Sequence, residues 1–323
     1  MIFKINKSVR NLFNKNKYLT NIYQKANRVK TSFLSNVSDE RFAKFKYKER
    51  TGRKLNLDNP QTYNEKLWWL KLNNRDPLLT ICSDKVLVRD YVVEQGFPEI
   101  LVPMIGAYDD VSKINFDEIP EDAFLKTNHG SGTNLIWKKN LDRRKVKKIF
   151  EDSLQQNYFY QSREWNYKNI KPQVVIEENL NKQNSGKEFF DYKFLCFDGR
   201  VEYVLVFLDS ASDDGTHNHH AKSNLYDRDF NPLNATVARE NFNKKQVKIP
   251  ENFEKMLEIA EKLSEPFVFC RVDLYNFDGQ IYFGEITFYP GGATQIINPE
   301  SLELKLGELI DLNSPKIIRK KSK

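Results

Sequence analysis

The sequence is poor in the residues that usually announce a function. Its three cysteines, Cys82, Cys196 and Cys270, lie far apart, and no Cys-x-x-Cys pair or Cys/His cluster occurs. That argues against structural zinc and against a disulfide framework, and it predicts a reducing, cytoplasmic setting. No apolar run approaches the roughly 20 residues needed to span a bilayer, so an integral membrane protein is not expected. No apolar h-region follows Met1-Ile2-Phe3-Lys4, which predicts no secretory signal peptide. Neither an internal repeat nor P-loop spacing is present, and no Ser/His/Asp or Cys/His constellation offers a covalent nucleophile. Aromatic residues, by contrast, make up 13% of the 323 residues and hydrophobic residues 40%, which rules out global disorder. The length suffices for two ordinary domains, or one large domain with an appendage.

Charge is unevenly spread. Residues 1–54 hold 15 Lys/Arg and 3 Asp/Glu, and residues 315–323 hold 5 basic residues and no acid. The stretch 55–314 carries 31 basic and 41 acidic residues, so an acidic body lies between basic ends. The overall net charge of +7 therefore says little about nucleic acid, and none is expected as a partner. The basic ends suit an anionic membrane surface or a polyanion, or simply solvated tails.

Residues 1–35 mix basic side chains with Phe3, Ile5, Val9, Leu12, Phe13, Tyr18, Ile22 and Tyr23 at roughly helical spacing. Thr62 with Glu65 reads as a capping box opening a helix that ends near Asn73-Asn74. Ser83-Asp84 is expected to begin a helix running to Gly96, and Ile100 to Met104 reads as a strand. A basic amphipathic helix is expected over 141–160, strands over 173–180 and over 189–208 with a break at Asp198-Gly199, and a polar loop over 209–224. A helix from Asn252 to Leu263 precedes two apolar strands flanking Asp278-Gly279, and a last helix runs from about Pro299 to Leu312. Helices and strands intermix without the regular alternation of a doubly wound sheet, which predicts an α+β fold.

Three places offer chemistry. An apolar strand ends in Lys126, followed by the small, hydroxyl-bearing loop His129-Gly130-Ser131-Gly132-Thr133 and a second strand. Such a loop lets backbone N–H groups approach phosphate oxygens, with the lysine as a point charge. A second apolar strand, Val174 to Ile176, runs into Glu177-Glu178, which places acceptors at a strand end. The third is Cys270-Arg271-Val272-Asp273 and its following strand Ile281 to Thr287. There Arg271, Asp273 and Glu285 stand in otherwise apolar segments, and charges buried in strands are costly unless paired or bound to metal. Alternation puts Arg271 and Asp273 on one face. A two-residue turn would pair Val272 with Glu285 and send the two acids to opposite faces. A three-residue loop, Phe277-Asp278-Gly279, would pair Arg271 with Glu285 and bring all three charges together with Thr287; that register is expected. Two carboxylates beside a phosphate suit magnesium, while an internal Arg–Glu ion pair is the plainer alternative.

In this order the pieces resemble the ATP-grasp superfamily, and most closely its TupA-like branch, named for teichuronopeptide biosynthesis and found in bacterial surface-polysaccharide clusters. The resemblance covers about residues 62–312. It rests on Asn64-Glu65-Lys66-Leu67, Ser83-Asp84-Lys85, Phe124 to Gly132, Val175-Ile176-Glu177-Glu178, Asp191-Tyr192-Lys193, Arg271-Val272-Asp273 and Glu285-Ile286-Thr287. It implies an α+β ATP-grasp fold, two α+β subdomains clasping a nucleotide. Residues 1–61 depart from it: the family's usual first domain is a compact α/β unit, whereas here they read as a basic, mainly helical extension, and 313–323 as a basic tail. It implies ATP and Mg2+ as cofactors. Lys85 and Lys126 would reach the phosphates, and the loop of His129, Gly130, Ser131 and Gly132 would cover them. Glu177 would accept from the adenine amino group, with backbone from Glu178 to Leu180 reading the purine edge, and Glu188 or Asp191 would take the ribose. Lys193 would face a phosphate and Arg271 the transferred phosphoryl group. Asp273 and Glu285 would hold magnesium, with Thr287 where the family usually has an asparagine ligand. Gly291 and Gly292 would present N–H groups to substrate.

The implied activity is a carboxylate–amine ligation through an acyl phosphate. A uronic acid or other sugar carboxylate is the implied acceptor, joined to an amino acid or amine in surface-polysaccharide synthesis. A glycan or lipid kinase would use the same clamp, and a glycosyltransferase is a further alternative through Asp227-Arg228-Asp229. The basic N-terminus would suit peripheral contact with the inner membrane face. Of the remaining residues, His217, His219 and His220 with Asp213 and Asp214 have spacing that could hold a metal but read first as loop residues. Tyr158, Tyr160 and Trp165 are expected to be buried, and Cys270 to be inert core.

Overall fold

The computed structural model describes residues 36–180, 190–208, 210, 212, 214–216, 218, 220–243, 247–277 and 279–320. The apolar stripe of residues 1–35, and Glu188, Asp213, His217, His219 and Asp278, lie outside them.

Local chemistry sets the first elements. Helix α1 (Asp39–Thr51) starts at Ser38, whose side chain accepts from the Arg41 N–H, and stops at Gly52 in the left-handed region. Helix α2 (Tyr63–Asn73) carries the expected capping box between Thr62 and Glu65. Helix α3 (Pro77–Ser83), capped by Asp76 with Pro77 in its first turn, is an element that the sequence pattern did not reveal. It displaces the next helix along the chain. Helix α4 is Val88–Glu94, so Ser83 ends one helix instead of beginning another. Asp84 and Lys85 lie in the turn between α3 and α4, where the Asp84 carboxylate accepts from the Val86 N–H. The segment from Ile100 is likewise corrected: Pro98–Ile100 is a single 3-10 turn, and the strand β1 is Met104–Tyr108.

Strands β2 (Phe124–Thr127), β3 (Asn134–Ile136) and β4 (Val174–Glu177) join β1 in an antiparallel sheet of order β1-β4-β2-β3. Helix α5 (Arg143–Leu154) lays Val146 and Phe150 on it, against Leu125, Trp137, Val174 and Ile176. Its basic residues face outward. The short helix α6 (Phe159–Ser162) follows.

Strands β5 (Phe190–Phe197), β6 (Arg200–Leu208) and β7 (Lys222–Asp227) come next, with the short strand β8 (Thr236–Val237), helix α7 (Phe253–Ser264) and strands β9 (Phe269–Phe277) and β10 (Gln280–Thr287). They form a second antiparallel sheet of order β10-β9-β5-β6-β7, while β8 pairs with β11 (Ile297–Asn298). Helix α8 (Glu300–Glu308) closes the body. The polar stretch 209–224 is thus shorter than expected, because β7 begins at Lys222. A separate and larger apolar cluster packs here, with Met256 and Ala260 of α7 beneath Phe194, Val272 and Leu274. Two sheets and two cores make an α+β molecule of two lobes. Among the described residues no helix is long and apolar enough to cross a membrane.

The flanks are docked. Phe42, Ala43 and Tyr47 of α1 join the larger core. The buried Arg163 holds Asp39 at 2.9 Å and donates to the Val37 carbonyl at 3.0 Å. At the other end the Arg75 N–H donates to the Ile318 carbonyl and the Lys320 N–H to that of Asn73.

The β9–β10 register departs from the expected one in an instructive way. Phe277 pairs with Gln280, so two residues, not three, connect the strands. Pairing then shifts at Gly284: Phe283 faces Leu274, but Glu285 faces Asp273 and Thr287 faces Arg271. The expected pairing of Arg271 with Glu285 is therefore wrong. Convergence of the charges survives because a bulge does what the longer loop was expected to do. Without the extra residue Glu285 would lie beside Val272, on the core face. Gly284 occupies the bulge where a Cβ would stand 3.0 Å from the Asp273 carbonyl oxygen and 3.2 Å from the Tyr275 ring.

Gly284→Ala is expected to destabilise the protein by roughly 1–3 kcal/mol through this overpacking. Denaturant unfolding measures the loss, and wild-type stability would refute the role given to the bulge.

Candidate active site

The site begins as one row of cross-strand partners. Lys193 on β5 faces Asp273 on β9, which faces Glu285 on β10. In the next row Leu195 faces Arg271, which faces Thr287. Direct cross-strand neighbours have Cβ atoms about 5 Å apart, within easy reach of charged side chains. Lys193 Nζ lies 2.6 Å from both Asp191 Oδ2 and Asp273 Oδ2. Arg271 donates from Nε to Asp273 Oδ1 at 2.6 Å and from Nη2 to Asp273 Oδ2 at 2.7 Å. The same Nη2 reaches Glu285 Oε1 at 3.2 Å and Thr287 Oγ1 at 3.1 Å, and Thr287 donates to Glu285 Oε1 at 2.9 Å. The two acids share a face, as the sequence requires for a metal or phosphate site.

The rest of the cleft lining comes from the α3–α4 segment, which packs in the larger core, and from the smaller sheet. Lys85, Arg89, Lys126 and Glu177 line one cleft with Gly284 and Glu285, about 460 Å³ of space open to solvent. Lys126 Nζ is 2.6 Å from Glu177 Oε2, and Arg89 Nη1 is 3.6 Å from Glu177 Oε1. Lys85 Nζ donates to the Gly130 carbonyl at 2.8 Å, so this lysine grips the small loop. The loop is tied at its base by the Thr127 N–H to the Thr133 carbonyl, with Ser131 and Gly132 exposed.

Electrostatics follow from this crowding. Burial pushes the Glu285 carboxyl up, but Lys85, Arg271 and Lys193 outweigh it and hold the group at about 2. Burial opposes the charge on Lys193, yet Asp191 and Asp273 raise it overall. Lys85 is lowered, since burial outweighs the attraction of Glu285. Asp191 is raised by burial.

Several expected roles are modified. His129 is buried, its Nδ1 3.2 Å from Asn128 Oδ1 and its Nε2 3.1 Å from the Ser153 carbonyl, so the ring points into the protein and away from the loop's open side. The Glu178 N–H donates to the Pro103 carbonyl and its side chain is exposed, which leaves that N–H unavailable to a purine edge. The hydroxyl of Thr287 is engaged by Glu285 and Arg271. The Gly292 N–H donates to the Tyr289 carbonyl, so it is not open to substrate. Asp191 stands beside Lys193 in the charged cluster; Leu180 follows β4, and Glu188 is outside the described residues. Asp227 accepts from Asn231 in the turn after β7, and Arg228 pairs with Glu261 of α7, so two of the three residues of Asp227-Arg228-Asp229 are engaged within the fold. Cys270 is buried, its thiol pushed well up by burial.

Further residues support the site. Arg89, in α4 four residues after Lys85 of the preceding turn, carries no mark in the sequence. The buried Lys71 donates to the Gly292 carbonyl at 2.8 Å, and Asn64, two turns earlier on α2, holds the Gln295 backbone in both directions. Together they fix the turn that follows β10. Burial lowers Lys71 and raises the nearby buried Glu164. Asn128 ties the small loop to Asp84 at 2.9 Å.

The donors suit magnesium in kind. Asp273 and Glu285 are hard oxygen ligands on one face, and Asp191 Oδ1 is buried with no hydrogen-bond partner among the described residues. Among those residues no group of three or more His, Cys, Asp or Glu is placed to hold a metal unaided. Substrate oxygens would have to complete the shell.

Two antiparallel lobes closing on a cleft of lysines, an arginine and paired acids define an ATP-grasp protein. The model of the TupA-like ATP-grasp family matches residues 65–311, and the chain belongs to that family. Among solved structures it is similar to an L-amino acid ligase from Bacillus licheniformis, at 14% identity over 66% of this chain and 44% of that one, with a TM-score of 0.39. It is also similar to a D-alanine–D-alanine ligase from Bacillus anthracis, at 19% identity over 74% and 68%, TM-score 0.42. A D-cycloserine synthetase matches at 13% identity over 73% and 71%, TM-score 0.42. The chain thus spans less than half of the first of these proteins. The likenesses are distant, and membership rests on the family match. A search of curated proteins gives no match.

Because the Glu285 carboxyl is held at about 2, below its ordinary 4.5, its ionised form favours the folded state. That contribution is present above about pH 4.5 and is lost as pH falls toward 2. The side chain is 44% exposed, so solvent screening keeps the effect small. Glu285→Gln is expected to flatten the acid limb of stability between those values, read from melting curves at several pH values; an unchanged slope would contradict the assignment.

Proposed function

We propose that this ATP-grasp ligase activates a carboxylate with ATP and joins it to an amine. The observation that carries the reading is the row Lys193–Asp273–Glu285 with Arg271 beside it, whose Glu285 lines one cleft with Lys85 and Lys126. The triphosphate would lie between these walls, under the loop Gly130 to Thr133. Asp273 and Glu285 would hold magnesium, which supplies positive charge to the phosphate oxygens. Lys126 from the smaller sheet and Lys85 from the α3–α4 turn would neutralise the tail, and Glu177, turned inward by Arg89 and Lys126, would sit nearest the adenine amino group. Glu188 or Asp191 remains the choice for the ribose.

The chemistry needs placement and charge more than a covalent nucleophile. A substrate carboxylate oxygen attacks the γ-phosphorus and ADP departs. Arg271 and Lys193 offset the charge that spreads over the phosphoryl oxygens. The amine then attacks the acyl carbon of the acyl phosphate, and inorganic phosphate leaves with the bonding pair. The half-buried Tyr158 and Tyr167, packed ring to ring at 5.1 Å, would keep water from the intermediate.

The acceptor proposed is a uronic acid or other sugar carboxylate and the donor an amino acid or amine, in cytoplasmic synthesis of a surface polysaccharide. The family match supports this reading. Residues 62–312 would be the catalytic unit, with 1–61 and 313–323 appended. The basic N-terminus would bring the enzyme to the inner membrane face. A glycan or lipid kinase is the second reading, since the same clamp serves transfer to a hydroxyl. The engagement of Asp227 by Asn231 and of Arg228 by Glu261 disfavours a glycosyltransferase.

Glu285→Gln should reduce ATP turnover by about 10³-fold or more while the circular dichroism spectrum stays unchanged. ADP release with magnesium, a uronic acid panel and amino acids measures it; wild-type turnover would reject the site. The product separates the two readings: ADP with an amide supports ligation, and ADP with a phosphoester supports the kinase.

A further inference from the structure

The cations around Asp273 and Glu285 leave little room for another. Both Asp273 oxygens accept from Arg271, and Oδ2 also takes Lys193 at 2.6 Å. One nitrogen of Arg271, Nη2, bridges Asp273 Oδ2, Glu285 Oε1 and Thr287 Oγ1 within 3.2 Å. A single positive group thus spans the two carboxylates from one side, as a metal ion between them would. Thr287 reinforces the bridge by donating to the same Glu285 oxygen.

The charges also balance. Asp191, Asp273 and Glu285 are met by Lys193 and Arg271 in direct contact, and Lys85 lines the same cleft as Glu285. Adding a divalent cation alone would leave the cluster with uncompensated positive charge and would break hydrogen bonds that are short and charge-assisted. A polyphosphate alters both conditions, since it brings negative charge and offers Arg271 and Lys193 new oxygen acceptors.

We infer that Arg271 has a second role: its guanidinium occupies the metal carboxylates until a polyphosphate arrives, so that the metal binds only together with nucleotide. This rests on the reading of Asp273 and Glu285 as the metal ligands. It makes binding order a property of one side chain. Metal without nucleotide is excluded by Arg271, and nucleotide without metal finds a site already positive.

Manganese(II) is the probe, because its free ion is read directly by electron paramagnetic resonance. Wild-type protein is titrated with Mn2+ alone, then with Mn2+ and a saturating non-hydrolysable ATP analogue; Arg271→Met is titrated with Mn2+ alone. Wild type should leave the free-ion signal undiminished by Mn2+ alone, and with the analogue should lower it below that of a protein-free mixture of Mn2+ and analogue. Arg271→Met should bind Mn2+ without nucleotide, about tenfold or more tighter than wild type. Adding Glu285→Gln to that variant should abolish the gain. Thr287→Val, which removes one strut of the bridge, should shift affinity in the same direction and serves if Arg271→Met does not fold. Wild-type protein that binds Mn2+ equally with and without the analogue overturns the inference, as does a folded Arg271→Met that gains nothing. Failure of the nucleotide reading has a different signature: the analogue would not raise the melting temperature even of metal-free protein.

Discussion

The structure depends on one constraint: ionised groups on the face of a buried sheet are tolerated only when each meets its opposite. Asp191, Asp273 and Glu285 are placed on three adjacent strands, where isolated charges would each cost several kcal/mol. Lys193, Arg271 and Lys85 answer them at hydrogen-bonding distance or across the cleft. The Glu285 carboxyl stays ionised because Lys85, Arg271 and Lys193 outweigh its burial, and Arg271 and Lys193 stay in place because the carboxylates hold them. A face in this condition is primed for a ligand that carries charge of both signs, such as a metal-bound polyphosphate.

Everything around this row serves to hold its geometry. The Gly284 bulge turns Glu285 toward Asp273. Helix α2 pins the turn after β10 through Lys71 and Asn64. Asn128 ties the small loop to Asp84, and Lys85 draws the same loop toward the cleft. These supports come from distant parts of the chain, and each uses a buried polar group that would be costly without its partner. The cleft between the lobes therefore has stiff walls on the side of the larger sheet and a small, partly exposed loop on the other.

Much of the site was legible because charged residues inside apolar strands are physically anomalous. Arg271, Asp273 and Glu285 stood out for that reason, as did Lys126 before its loop and Glu177 at the end of β4. The Thr62–Glu65 cap was legible because both ends of its hydrogen-bond pair lie three residues apart. What misled was local ambiguity. The apolar run from Ser83 to Gly96 hides a break that depends on the Asp84 carboxylate capping its own turn and meeting Asn128, 44 residues away. His129 looked like a loop residue open to ligand, but Ser153 on the covering helix turns it inward. Arg89 and Lys71 carried no signal, since a charged residue on a helix is ordinary until its burial is known.

The order of motifs, the α+β composition and the presence of paired acids on alternate strand positions are properties of the linear chain, because side-chain alternation and helix capping act over a few residues. Which acid faces which partner is not. A two-residue turn alone would have separated Asp273 from Glu285, and a three-residue loop would have matched Glu285 with Arg271. The choice was made by a bulge at Gly284, where the Asp273 backbone approaches too closely for a side chain. Cross-strand register is a long-range balance of packing and charge over the whole sheet, and only the folded molecule sums it.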